Sequence, residues 1–431
     1  MLVPVADQLE KIVRDSFGVG LPIRFRAWDG SAAGPDEPGA PVAVLKSRDA
    51  LRRLVWNPGE LGLSRAYVAG ELDVEGDLKD ALARFWALGR QHQLSGLKPS
   101  VGARLTALRT AVSLGAFGPK PKAPTEEARL SGRLHTKDRD SKAISHHYDL
   151  SNEFYQLILE PNMAYSCGYW TSTKPEYTVQ DAQRDKLDLI CRKLDLQPGM
   201  RMLDVGCGWG SLIIHAAKHY GANVTGVTIS AEQRKHILNR VEAEGLQDKV
   251  QVRLQDYRDV SDEPFDAIGT IEMGEHVGNE NYDTYTATLF RLLKPYGRLL
   301  LQQMSRGTEQ PGGGAFIEGY VAPDMHMEPL GKTVARIEAA GLEVRDVHAL
   351  REHYVYTVDA WARTLEEKWD EAVALVGEGQ ARVWRLYMAG GSLTFEQNRM
   401  GVNQILAVRP TPEGNSAFPA VRPNWSDLPV R

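Results

Sequence analysis

Cysteine is scarce in this chain: three in 431 residues, Cys167, Cys191 and Cys207, none in a CxxC or Cys/His zinc spacing. So few thiols argue against a disulfide scaffold or structural zinc and suit a reducing compartment. Long hydrophobic runs are missing too, since no stretch approaches the ~18 apolar residues of a membrane span. The opening MLVPVADQLEKIVRDSFG meets Asp7 and Glu10 too early for a signal peptide. These absences predict a cytoplasmic protein. What is present is ordinary globular material, 42% hydrophobic and 25% charged, enough for two or three domains at ~150 residues each.

The net charge of −5 conceals an asymmetry. Ten Lys/Arg against four acidic residues between 97 and 145 make that stretch +6, so the remainder carries −11. Within it Val101, Leu105, Leu108 and Val112 recur at helical spacing with Arg104 and Arg109 between them, and GPKPKAP follows as loop. Two readings stand: a helix docked on its own protein beside a solvated tether, or a basic amphipathic helix at an anionic membrane surface. The stretch divides the chain into a small N-terminal domain (1–96), a basic helix and linker (97–144) and a larger domain (145–431). The first contains a helix near 5–16, strand-like LPIRFRAW and PVAVLKS, and helical ALRRLVW and DLKDALARFWALGR, a mixed α/β module.

In the larger domain strands and helices alternate. RMLDVGC, NVTGVTIS, KVQVRLQDY, FDAIGTIEM and GRLLLQQMS read as strands, with helical SLIIHAAKHYG, AEQRKHILNRVEAEG and YDTYTATLFRLL between them. LEVRDVHAL and NQILAVRP follow as last strands around a Trp-rich helical insertion from about 357 to 400. This order predicts an α/β, doubly wound, Rossmann-like parallel sheet. The first strand ends in LDVGCGWGS, where Gly206, Gly208 and Gly210 allow a sharp turn and close approach of a nucleotide-like ligand to a helix N-terminus. The dinucleotide fingerprint is absent: the spacing is GxGxG, and the next strand ends in Thr228-Ile229-Ser230 instead of an acid. A Walker lysine is missing as well. His215 and His219 have the i, i+4 spacing of a metal pair, but without a supporting acid they are expected to be solvent-exposed, and no metal site is expected.

Asp204 before GxGxG, the polar cluster after the second strand and Asp256-Tyr257 after the third resemble class I methyltransferases that bind S-adenosylmethionine. The Asn/Asp-Pro-Pro-Tyr motif of nucleic-acid amino-methyltransferases is replaced by IEMGEHVG, so no nucleic-acid partner is expected. From residue 145 onward the chain instead resembles the cyclopropane fatty acid synthase and mycolic acid methyltransferase family. The matching motifs, in order, are SHHYDLSNEFY, YSCGYW, KLDLQPGMRMLDVGCGWGS, VTGVTIS, QDYRD, EHVGNENYDTY, FIEGYVAPD and HYVYTVDAW. The N-terminal module is similar to the front domain of bacterial members.

That resemblance implies methylation of the cis double bond of an unsaturated phospholipid acyl chain, at the inner face of the membrane. Attack on the sulfonium methyl leaves a carbocation, so the pocket must be dry and aromatic. Tyr148, Phe154, Tyr155, Tyr165, Tyr169, Trp170 and Tyr320, with members of the Trp361, Trp369 and Trp384 segment, are candidates for its lining, although each alone also suits plain core. The family uses a bound bicarbonate as base, and Cys167, Glu275 and Tyr354 match its cradle. Gln302 falls where the family has histidine. A glutamine can donate to an anion but cannot carry a proton, which favours a 10-methylene product, to be reduced by a flavin-dependent partner, over a cyclopropane. For the cofactor the match carries over Tyr165, Ser166, Asp204, Gly206, Cys207, Gly208, Gly210, Thr228, Ser230, Gln233, Asp256 and Tyr257. One of His146 and His147 is expected to position the edge of the site, and a homodimer is an open expectation. Methylation of a soluble small molecule, or cofactor binding without turnover, remain as alternatives.

Overall fold

A computed structural model describes residues 3–92, 109–128, 139, 151–307, 310–311 and 313–425. Most of the basic stretch, including 101–108, and the SHHYD residues His146, His147 and Tyr148 lie outside the described residues; residues 109–113 are helical. The chain forms two compact units. The first comprises Met1–Arg129 with two later segments, Gly314–Val321 and Val376–Leu393. The second comprises Leu130–Gly313, Ala322–Leu375 and Thr394–Arg431. These units differ from consecutive segments of sequence, because Gly314–Val321 and Val376–Leu393, both from the stretch 145–431, group with the N-terminal residues.

That unit is built on a four-stranded sheet, β2 (Ala32–Ala33), β1 (Arg24–Arg26), β3 (Val42–Leu45) and β4 (Leu72–Glu75) in spatial order. Helices α1 (Val5–Phe17), α2 (Arg48–Trp56), α3 (Glu60–Val68) and α4 (Leu78–Gln91) accompany it. Ser47 caps α2 and Asp77 caps α4 through their side-chain oxygens, satisfying backbone donors at each N-terminus. The two later segments join through buried polar bonds. Arg65 forms a bidentate pair with Glu127, which also accepts from the Tyr320 hydroxyl at 3.1 Å, and Arg382 donates to the carbonyls of Tyr67 and Leu72. Tyr320 and Trp384 thus belong to this unit and are not part of the pocket described below.

The second unit is centred on a seven-stranded sheet. Its strands are β5 (Arg201–Val205), β6 (Asn223–Thr228), β7 (Val250–Leu254), β8 (Phe265–Ile271), β9 (Leu293–Ser305), β12 (Glu343–Ala349) and β13 (Gly401–Val408). A two-stranded ribbon, β10 (Gln310–Pro311) and β11 (His326–Met327), lies outside that sheet. The spatial order is β12-β13-β9-β8-β5-β6-β7. The first five strands are parallel as expected, but β13 runs antiparallel to both β12 and β9, so the sheet is mixed. Successive residues face opposite sides: Met202 and Leu300 join one core cluster, and Leu203, Val205, Leu299 and Leu301 the other. Burial on both faces explains the unbroken apolar run in β9.

Helices α5 (Asn152–Ile158), α6 (Val179–Lys193), α7 (Ser211–Tyr220), α8 (Ala231–Ala243), α9 (Tyr282–Arg291) and α10 (Leu330–Ala339) accompany the sheet. The later helices are α11 (Arg351–Glu367) and α12 (Trp369–Val376), while α13 (Glu378–Glu396) lies mostly in the first unit. A reciprocal Thr178–Asp181 capping box starts α6, and Ser230 caps α8. The chain leaves β5 for β6 and β7 on one side and returns to β8 on the other. This reversal opens a crevice at the carboxyl ends of β5 and β8, where ligands of doubly wound sheets bind. Among the described residues no helix is long and apolar enough to cross a membrane.

Candidate active site

The crevice at β5 and β8 is a pocket of about 1170 Å³, solvent at its mouth included. Its glycine turn is shaped by sterics. Gly206 has φ +81° and Gly210 φ +87°, and a Cβ on them would come within 2.8 Å of Met273 and 3.0 Å of Ile237. Gly208, at φ +51°, differs, because a Cβ there would meet nothing within 4 Å. It faces open space, as a ligand-contacting position should.

Ten of the twelve residues carried over for the cofactor line this pocket: Tyr165, Ser166, Asp204, Gly206, Cys207, Gly208, Thr228, Gln233, Asp256 and Tyr257. Gly210 and Ser230 stand behind the wall. Gly210 lets the chain pass Ile237, while the Ser230 hydroxyl accepts from the Gln233 backbone N–H at the start of α8. Asp256 is engaged by the Arg258 side chain and backbone at 2.7–2.9 Å.

Asp204 is 2% exposed, and its Oδ1 has no hydrogen-bond partner among the described residues. Burial pushes its pKa up to about 7, with nearby Lys186 opposing the rise. Lys186 is itself buried, and its Nζ donates to Ser166 Oγ at 2.7 Å. Neighbouring Glu272, Glu160 and Asp204 support its charge against burial, which lowers its pKa. An orphaned acid at one side of the pocket and Gly208 opening on its space suit the ammonium and nucleoside parts of S-adenosylmethionine. Lys186 was not singled out from sequence; the available signal was a charged residue among the apolar positions of α6, KLDLI.

The cradle residues converge on an acid that the motifs did not single out, Glu272. Its Oε1 accepts from the Cys167 backbone N–H at 2.8 Å and from Gln302 Nε2 at 2.9 Å. Its Oε2 accepts from the Tyr354 hydroxyl at 2.6 Å. The Cys167 side chain takes no part: its Sγ lies 3.3 Å from the Gly168 carbonyl oxygen, and burial together with the Glu272 charge pushes the thiol well above its ordinary range. Glu275 is not bonded to this cluster. Its Oε1 accepts from the Met304 N–H at 2.5 Å, and burial beside Glu272 raises it to about 8. Glu272 lines the pocket, whereas Cys167, Gln302 and Tyr354 stand behind it.

A bound bicarbonate does not fit these residues. The Cys167 N–H, the Tyr354 hydroxyl and the Gln302 amide, three donors expected to hold it, are occupied by a carboxylate of the chain itself. The expectation of bicarbonate as base is therefore corrected.

An aromatic wall adjoins the site. Tyr155 packs on Trp209 at 4.4 Å between ring centroids, Tyr165 on Trp361 at 5.4 Å, and Tyr354 edge-on to Trp361. Phe154 and Tyr155 are buried, Tyr155 against the two pocket-lining rings Tyr165 and Trp209. Tyr169 and Trp170 face elsewhere, Tyr169 packing with His348 and His353 and Trp170 with Tyr177 and Tyr356. The expectation for His215 is also corrected. It is buried, its Nε2 2.9 Å from Asp188 Oδ1, an acid supplied by α6 that sequence spacing could not reveal. Among the described residues no cluster of His, Cys, Asp and Glu suits a metal ion.

Sheet order, glycine turn and buried acid together define a class I S-adenosylmethionine-dependent methyltransferase. Residues 135–405 match the mycolic acid cyclopropane synthetase family, and the chain belongs to it. It is 39% identical over 417 residues to a probable fatty acid methyltransferase of Mycobacterium tuberculosis, covering 94% of this chain and 95% of that one. It is 37% identical over 281 residues to the cyclopropane-fatty-acyl-phospholipid synthase of Escherichia coli K12, covering 65% and 71% respectively. The crystal structure of mycolic acid cyclopropane synthase CmaA1 with SAH and CTAB superposes with a TM-score of 0.58 at 32% identity, covering 62% of this chain and 97% of that one. The protein is a methyltransferase of the fatty acid and cyclopropane-forming family, whose members modify lipid acyl chains.

Proposed function

We propose that the protein methylates the cis double bond of an unsaturated phospholipid acyl chain and releases a methylene-branched chain. The observation that carries this reading is the juxtaposition, in one pocket, of the cofactor turn, the rings of Tyr165 and Trp209 and a carboxylate fixed by three donors. S-adenosylmethionine, when bound, supplies an electrophilic methyl group. Asp204 and the turn from Gly206 to Gly208 hold it, with Thr228, Gln233 and Tyr257 along the adjoining wall. The pocket-lining rings of Tyr165 and Trp209 offer π faces to positive charge on the acyl chain and carry no strong nucleophile to quench it. A soluble polar substrate has less use for such a wall.

Product choice depends on how promptly a proton leaves the methylated cation: prompt loss from the methyl group closes a ring, whereas hydride migration before that loss gives the methylene. Gln302 cannot relay a proton, and this supports the methylene product, with a flavin-dependent reductase as the enzyme acting next. Access to phospholipid calls for peripheral attachment at the cytoplasmic membrane face, and the excess of positive charge between 97 and 145 supports that stretch as the contact. The test is lipid analysis of a host containing only monounsaturated phospholipids, with and without the protein. The two products share a mass, so chromatography and vinylic proton signals must separate them. Lipids unchanged by the protein would sink the reading.

A further inference from the structure

We propose that Glu272 is the proton acceptor of this reaction, a carboxylate built into the chain in place of a dissociable anion. The inference rests on the acyl-methylation reading and adds to it the identity of the base. The first support is saturation of the donors: the Cys167 N–H, Gln302 amide and Tyr354 hydroxyl all end on one carboxylate, from positions far apart in sequence. A carboxylate offers about four lone-pair sites. Two on Oε1 and one on Oε2 are taken by the described residues, leaving one on Oε2, and the side chain lines the pocket.

The second support is the backbone. Glu272 has φ +52°, in the left-handed region that costs a residue with a Cβ about 1 kcal/mol relative to glycine. Its N–H is tied to the Gln302 carbonyl at 2.6 Å, so strand end and side chain are fixed together. Strain of this kind persists where the surroundings over-determine a conformation, and it concentrates at functional sites.

The third is the identity of residue 302. Gln404 Nε2 donates to Gln302 Oε1 at 3.0 Å, which turns the Gln302 amide nitrogen toward Glu272. A neutral donor of fixed orientation is what a resident carboxylate requires, so Gln302 acts as a positioning residue. The charges agree. Burial beside Glu272 raises Glu275 to about 8, so Glu275 keeps its proton at pH 7 and adds no second full charge beside Glu272, while Lys186 nearby favours the ionised form of Glu272. Burial raises the basicity of Glu272, while its three hydrogen bonds and Lys186 restrain the rise.

In the step itself a C–H bond of the newly added methyl group breaks. Its electron pair becomes the π bond of the exocyclic methylene, neutralising the cation on the adjacent carbon, and the proton passes to Glu272 Oε2. The carboxylic acid returns that proton to water when product leaves.

The test compares full-length wild type, Glu272→Gly and Glu272→Gln on vesicles of monounsaturated phospholipid, in buffer stripped of carbon dioxide and in the same buffer with millimolar bicarbonate. Wild type should work equally, within twofold, in both. Both variants should lose at least ~100-fold in stripped buffer, the scale of a general base, while binding S-adenosylmethionine within a few fold by calorimetry. Glu272→Gly, which vacates the cradle and relieves the backbone, should regain activity with bicarbonate; Glu272→Gln, which still fills it, should not. Wild type that turns over only with bicarbonate overturns the assignment, and that arm decides even if the variants misfold. Undiminished turnover by Glu272→Gly in stripped buffer overturns it too. Wild type that makes no methylated lipid in either buffer would refute the acyl-methylation reading instead.

Discussion

Replacing Asp204 by Asn should make the ligand-free protein more stable and its cofactor binding weaker. An isolated buried carboxylate opposes folding once it must ionise. Its pKa rises from an ordinary 3.8 to about 7 in the folded chain. Below pH 3.8 both folded and unfolded states hold the proton, so nothing is lost. Between 3.8 and 7 the unfolded state releases it while the folded state keeps it, and stability falls as pH rises. Above about 7 the full penalty is present. Three units at 1.36 kcal/mol each set it at about 4 kcal/mol at most. Asparagine is isosteric and uncharged, so Asp204→Asn should raise the melting temperature of the ligand-free protein by a few degrees at pH 8 and by almost nothing near pH 4.

Binding should move the other way. A charge-assisted hydrogen bond contributes about 1.5–3 kcal/mol, so loss of the carboxylate facing the cofactor's ammonium should weaken S-adenosylmethionine binding by about 10- to 100-fold. Titration calorimetry reads this directly. In wild type it should also reveal proton release on binding near pH 6–7, as a heat that changes between buffers of different ionisation enthalpy. A variant that binds as tightly as wild type, or that gains no stability at pH 8, would show that Asp204 is neither the ammonium's partner nor an uncompensated buried acid.

Tyr354→Phe removes one of the three donors to Glu272 and should slow turnover about 10- to 100-fold, leaving cofactor affinity within a few fold; equal loss of both in calorimetry and turnover would point to misfolding. Gln302→His, by adding a titratable ring beside Glu272, should shift product from methylene toward cyclopropane, and 1.4 kcal/mol between the two barriers is a tenfold change in ratio; an unchanged ratio by chromatography places product control elsewhere. Vesicle binding through the basic stretch between 97 and 145 should weaken as salt rises, because exposed charges are screened beyond roughly 8–10 Å at physiological ionic strength; salt-independent co-sedimentation would remove that contact.

The sheet was legible because its strands are buried on both faces and its helices are amphipathic, so β5 to β9 and α7 to α9 announce themselves by periodicity. In the N-terminal unit α3 and β4 escaped. The buried positions of α3 include Gly62, Ser64 and Ala66, too small or polar to mark a stripe, and β4 is a four-residue strand with only partly buried side chains. The antiparallel placement of β13 follows from long-range pairing, which local pattern does not encode. Most cofactor residues were legible because they cluster at three strand ends. Glu272 was not, because its donors sit at positions 167, 302 and 354, and the neighbouring EHVG motif drew attention to Glu275. One signal was present: an acid at the end of β8, facing the glycine turn across the topological reversal of the sheet.

The buried charges around the pocket now have a common logic. Lys186 stands among Asp204, Glu272 and Glu160, with Glu275 beyond Glu272, and burial disfavours ionisation of every one of them. One ammonium does not neutralise all four acids. At pH 7 Glu275 keeps its proton and Asp204 is near its midpoint, which leaves the site charge-poor until a cationic ligand arrives. S-adenosylmethionine brings a sulfonium, an ammonium and a carboxylate, a net single positive charge, so its binding favours ionisation of the acids that burial holds protonated. After methyl transfer the positive charge has moved from cofactor to acyl chain, and Glu272, held by three donors at the pocket wall, is the carboxyl group placed to receive the proton that carries it away.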